Sequence, residues 1–106
     1  RETVEKNRAE HKPNPTPGKI IESVSRHFRV SVSDICGPKR KANLVRARQF
    51  LMYLLRVELG LPLESIGKLS GDRDHSTVIY SIGKIERGIL ANPEWQDQLS
   101  RIRLGF

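Results

Sequence analysis

The chain of 106 residues has a single cysteine, Cys36, so it cannot close an internal disulfide and a cysteine-based metal site is implausible. A lone thiol beside Ile35 reads as a small buried apolar residue rather than a nucleophile, and it suits a reducing cytoplasm. No apolar run approaches the length of a membrane span, and no signal-peptide pattern opens the chain. There is no nucleotide-binding loop either: "PGKII", from Pro17 to Ile21, lacks the first glycine and the hydroxyl that such a loop needs. His11, His27 and His75 do not have metal-ligand spacing, and neither a metal nor a cofactor is expected in this chain. The last absence is local. No acid occurs between Gly37 and Val57, an omission that solubility alone does not call for. The first residue is Arg1 rather than Met, which suits either a piece of a longer protein or a stand-alone relative.

What the sequence does have is positive charge. Nineteen Lys and Arg against twelve Asp and Glu leave a formal charge of +7. That excess bears on partners rather than on fold, and it favours nucleic acid or an anionic membrane surface. The plainer explanation is a basic surface kept soluble by its charge. The hydrophobic share of 37% is enough for the modest core of one domain.

Residues 1–16 read as a linker or tail. Charges of both signs alternate there, and Pro13, Pro15 and Pro17 follow closely at its end. A short helix in "ETVEKNRAE" would have almost no apolar face. Residues 17–106 read as one all-α domain. Thr16 and Pro17 form a helix start, with Ile20, Ile21, Val24, His27 and Phe28 at helical spacing up to about Arg29. His27 fits a half-buried polar residue. Ser31 and Ser33 are candidate caps for a short turn carrying Ile35. Lys39, Arg40 and Lys41 fall in a loop, and a long helix is expected from about Asn43 to Leu59, ended by Gly60 and Pro62. Its apolar stripe is Ala47, Phe50, Leu51, Leu54 and Leu55, with Arg46, Gln49, Tyr53 and Arg56 on the far side. A short helix in "LPLESIGKL" turns Leu63, Ile66 and Leu69 inward. After a turn at Gly71, a further helix runs from near Asp74 to about Gly88, burying Val78, Ile79, Ile82, Ile85 and Ile89. Two helices joined by a short glycine-containing turn make a helix-turn-helix. The second would expose Arg73, Ser76, Thr77, Tyr80, Gly83, Lys84 and Arg87. "PEWQDQLSRIRLGF" makes a last helix anchored by Trp95, Leu99 and Ile102.

The stretch "GDRDHSTVIYSIGKI", from Gly71 to Ile85, carries more polar groups at a helix start than capping requires. Asp72 or Asp74 accounts for the cap, and His75, Ser76 and Thr77 then fill a first turn where better helix formers would be more stable. In a recognition helix that turn enters the major groove, where short donors and acceptors meet base edges. The alternative is a capping cluster with solvated neighbours. Catalysis by Asp74, His75 and Ser76 is geometrically poor, because consecutive helical residues point about 100° apart.

At this point the residues resemble a known family. "GDRDHSTVIYSIGKI", "KRKANLVRARQFLMYLLR" and "LGLPLESIGKL" resemble the signature, the basic loop with its long helix, and the first helix of the helix-turn-helix in the carboxy-terminal DNA-binding domain of DnaA, the bacterial chromosomal replication initiator. The resemblance covers about Thr16 to Arg103. It implies an all-helical, Trp-repressor-like domain that binds a short asymmetric duplex box at the replication origin, in the bacterial cytoplasm and nucleoid, as a monomer. It further implies base contacts from Asp74, His75, Ser76 and Thr77 in the major groove and from Arg40 in the neighbouring minor groove. Phosphate contacts are expected from Lys39, Lys41, Arg46, Arg48, Gln49, Arg56, Arg73, Tyr80 and Lys84. ATP would bind only the family's separate ATPase module. Ser76 stands where threonine is usual, Tyr80 where histidine is frequent, Ala47 where proline is common and Asp72 where a second glycine is common. Rival readings are a stand-alone transcriptional regulator of the same type, or a module for acidic phospholipid or regulatory proteins.

Overall fold

The computed structural model describes residues 15–106, so all but the last two residues of the expected 1–16 linker, including the stretch "ETVEKNRAE", lie outside the described residues. Six helices and no strand are found among the described residues: α1 Pro17–Phe28, α2 Val32–Ile35, α3 Ala42–Leu59, α4 Leu63–Leu69, α5 His75–Ala91 and α6 Pro93–Arg103. Each begins or ends where local chemistry requires it. Thr16 accepts from the Lys19 amide and Pro17 occupies the first helical position of α1. Ser31 caps α2 by accepting from the Asp34 amide. At the end of α3, Gly60 adopts φ 65° and its amide bonds to the Arg56 carbonyl. Leu61 then turns back onto the core, the hydrophobic contact that usually accompanies such a stop.

The core is organised around α3, which packs against α1, α2, α4 and α5. Ala47, Phe50, Leu51, Met52, Leu54 and Leu55 of α3 are fully or almost fully buried among Ile20, Val24, Ile35, Ile66, Val78 and Ile85. A residue such as Leu or Phe buried this completely contributes roughly 1.5–3 kcal/mol by leaving water. Helix α6 closes the bundle against α1 and α5 through Leu99 and Ile102. Trp95 is only half-buried, but its ring meets Phe50 edge-on at 5.7 Å between centroids. It also lies so close to Gly88 that no Cβ fits between them. His27 is half-buried with Nε2 3.3 Å from Gln98 Oε1, a packed polar residue as expected.

Two aliphatic side chains expected inside are not. Ile79 is 57% exposed, because the buried line of α5 runs through Val78, Ser81, Ile85 and Gly88. The small residues on that line let α5 approach α3 and α6 closely, and Ile79 lies about 100° off the Val78 direction. Leu69 is 40% exposed, since α4 turns Ile66, Gly67 and Ser70 inward instead. It rims a shallow apolar groove with Pro17, Gly18, Ile21, Leu51 and Leu55.

Candidate nucleic-acid interface

The connection from α4 to α5 depends on two glycines. A Cβ at Gly67 would overlap the Arg73 carbonyl, and the Arg73 amide donates to the Gly67 carbonyl at 2.9 Å. The chain can therefore fold back over α4 only because that side chain is missing. At Gly71, φ is 94°, and a Cβ there would strike the Cys36 carbonyl. Asp72 comes next with φ 60°. That left-handed value explains why a second glycine suits the position, and aspartate is among the few other residues that reach it readily.

The turn delivers α5 with its first turn exposed. Asp74 is the N-cap: Oδ1 accepts from the Thr77 amide at 2.8 Å. This hydrogen bond holds the Asp74 carboxyl below the ordinary aspartate pKa. His75, Ser76 and Thr77 are all exposed, and Tyr80 is 57% exposed one turn further on. Lys84 is half-buried with its ammonium 5.9 Å from the Tyr80 ring centroid. None of the tip residues faces the aliphatic core.

The basic loop lies beside this tip. An open cleft of about 560 Å³ is lined by Pro38 and Arg40 from the loop, Val45 and Arg48 from α3, and Asp72, Arg73, Asp74 and Thr77 from the turn and α5. Residues 34 positions apart in sequence, Arg40 and Asp74, thus border one concavity. Lys39, Arg40 and Lys41 are exposed, and Lys39 pairs with Asp34 at 3.3 Å. Pro38 and Val45 belong to the cleft without having been expected there, and Asp72 of the turn lines it as well. For the two apolar residues no sequence signal exists, since their place depends only on how the loop folds over α3.

The structure corrects the expected outward face of α3. Arg48 is 6% exposed and Gln49 7% exposed, so both side chains are largely covered, although Arg48 borders the cleft. Arg48 donates from Nε to the Ile35 carbonyl at 2.6 Å and from Nη2 to the carbonyls of Asp34, Gly37 and Lys39 at 3.2–3.3 Å. Burial, helped by the neighbouring Arg73 charge, lowers its pKa, yet a guanidinium stays cationic. Arg46 is half-buried over the Trp95 ring, 4.3 Å from guanidinium carbon to centroid. Two helical positions lie about 200° apart, so Arg46 points away from the cleft that Arg48 lines. Arg56 is exposed and donates to the Leu61 carbonyl at 2.8 Å. Arg73 is half-buried, donating to the carbonyls of Gly71 at 2.9 Å and Gly37 at 2.6 Å.

Nearby, Cys36 is half-buried with Sγ 3.4 Å from the Leu69 carbonyl. Burial raises the pKa of its thiol, against the pull of Arg48 and Arg73. That shift disfavours the thiolate, so Cys36 is a packed thiol rather than a nucleophile. Among the described residues no group of three or more His, Cys, Asp and Glu could hold a metal ion, and no helix is long and apolar enough to cross a membrane.

Two helices joined by a tight turn, the second presenting a polar tip beside a cationic loop, define a helix-turn-helix protein of the DNA-binding class. The family model described as the bacterial dnaA protein helix-turn-helix matches residues 17–85, and the chain belongs to that family. It is similar to chromosomal replication initiator proteins DnaA, being 40% identical over 88 residues to that of Thermomicrobium roseum, with 83% of this chain and 19% of the relative covered. Identity to the Lachnoclostridium phytofermentans protein is 41% over 90 residues, covering 85% and 20%. For Lactococcus lactis subsp. cremoris it is 37% over 93 residues, covering 88% and 20%. The chain spans about a fifth of the length of these relatives.

Proposed function

We propose that this domain binds short asymmetric boxes in double-stranded DNA at the replication origin, as a monomer in the bacterial cytoplasm, and so contributes to initiation of chromosome replication. The tip of α5 reads the major groove through Asp74, His75, Ser76 and Thr77. Arg40 enters the adjacent minor groove, and Lys39, Lys41, Arg56, Tyr80 and Lys84 hold phosphates. The single observation that carries this reading is the shared cleft: a cationic loop and an exposed helix tip lie side by side, although α3 separates them in sequence. Phosphate attraction from the loop supplies affinity that falls with salt, and the tip supplies choice among base sequences. Asp74 reaches bases from a capping position, where a carboxylate can accept from a cytosine amino group. On this reading no cofactor takes part in DNA binding.

A membrane-surface role has less support, because the basic residues of α3 do not form one continuous face. A stand-alone regulator would use the same DNA contacts. The deciding experiment is repeated selection from a pool of randomised duplexes by the unmodified domain, followed by affinity measurements on the selected duplex and a scrambled one. A preference of at least about a hundredfold is expected. Equal affinity for the two would remove sequence-specific binding.

A further inference from the structure

We propose that Arg48 and Arg73 are positioning residues that set the span between the Arg40 loop and the tip of α5, so that the two grooves are read as one coupled unit. The inference rests on the DNA-binding reading above and extends it to two arginines that line the cleft between loop and tip.

Arg48 comes from the central helix and collects four carbonyls, those of Asp34 and Ile35 at the end of α2 and those of Gly37 and Lys39 in the loop. Arg73 comes from the turn before α5 and reaches the same Gly37 carbonyl. A carbonyl oxygen has two lone pairs and can accept from both guanidiniums. Gly37 is therefore the point at which α3, the loop and the turn are joined. Gly71 abuts Cys36, and the Cys36 thiol donates to Leu69, which adds two more ties between the same segments.

The clamped residues immediately precede the reading ones. Arg40 comes directly after Lys39, whose carbonyl is held by Arg48, and Asp74 directly after Arg73. With no free residue between clamp and reader, a shift of the clamp moves the reader by a similar amount. The planar fork of arginine is what allows one side chain to hold several carbonyls; a lysine ammonium is a point charge without that geometry. The burial of Arg48 argues in the same direction. Its Nε and Nη2 are committed to these four carbonyls, and drawing them away would leave acceptors unpaired in a part-buried site.

The test uses the duplex selected by the unmodified domain and a scrambled control, over a range of salt concentrations. Arg48→Met and Arg73→Lys are each measured alone and combined with Arg40→Ala. Each single variant is expected to lose at least tenfold in preference for the selected duplex, with the salt slope on scrambled DNA unchanged. In the Arg40→Ala background that loss should shrink to under twofold, because there is no longer a minor-groove side chain to place. Two results overturn the proposal: an equal fall on both duplexes with the logarithmic salt slope reduced by about 0.9, as a lost phosphate contact gives, or an undiminished effect without Arg40. Should Arg48→Met fail to fold, Arg73→Lys decides alone, since it keeps the charge and alters a half-buried side chain; full preference in that variant overturns the proposal. An unmodified domain that prefers no duplex defeats the DNA-binding reading itself, a separate and recognisable failure.

Discussion

The first turn of α5 and the middle of α3 are both rich in polar side chains, and the molecule treats them in opposite ways. At α5, His75, Ser76 and Thr77 are exposed beyond the end of the bundle. In α3, Arg48 and Gln49 are almost fully covered and Arg46 stacks on Trp95. The difference is one of crowding. Four other helices surround α3, so it has little free face for long cations, whereas the first turn of α5 is left exposed. A basic residue on a helix is therefore not by itself a surface residue. What matters is whether backbone carbonyls can satisfy it inside.

The contrast breaks first at Arg48. Arg48→Met should lower the free energy of unfolding by about 2–4 kcal/mol, because several part-buried carbonyls lose their donor. His75→Ala should change it by less than about 0.5 kcal/mol. Chemical denaturation of both variants checks this, and similar values would erase the distinction between the two regions. In binding the order reverses on the α5 side: His75→Ala should weaken the selected duplex by about 1–3 kcal/mol while nearly sparing a scrambled one. Equal loss on the two duplexes would take His75 out of sequence reading.

Smaller effects sharpen the turn that joins the regions. Asp72 has φ 60°, so Asp72→Gly should raise stability by up to about 1 kcal/mol, the relief of the left-handed conformation being partly offset by a more flexible unfolded chain. The same change removes an acid from the cleft and should tighten all duplexes alike, measured by fluorescence anisotropy. A drop in stability would show that the carboxylate itself holds the turn. The smallest effect lies at Asp74. Its pKa is depressed in the folded state, so its capping contribution is present above the ordinary aspartate value and is lost as pH falls through the lower folded value. An NMR titration of the Asp74 carboxyl should give a midpoint below the ordinary one. An unshifted midpoint would mean that the hydrogen bond from Thr77 does not persist in solution.

Much of the fold is legible in the chain because its signals are local. Thr16–Pro17, Gly60 and Asp74 are read from capping chemistry, which acts within one turn, and each marks a helix boundary at or beside the expected residue. The aliphatic stripe of α3 comes from spacing alone. The failures have a different origin. The aliphatic side chain of Ile79 points to burial, but Ser81 and Gly88 allow the close approach that decides which arc of α5 is buried. Gly67, a glycine within a seven-residue helix, is the available hint that α4 packs tightly against the turn leading into α5.

Residue order alone already dictates an all-helical chain with a capped, polar tip on α5, a cationic loop ahead of α3 and no disulfide to hold them. These depend on neighbours a few residues away, within reach of one helical turn. Packing in three dimensions is what brings loop and tip to one cleft and covers Arg48 with backbone carbonyls. Both depend on carbonyls and side chains brought together by packing across distant segments, which spacing along a chain does not encode.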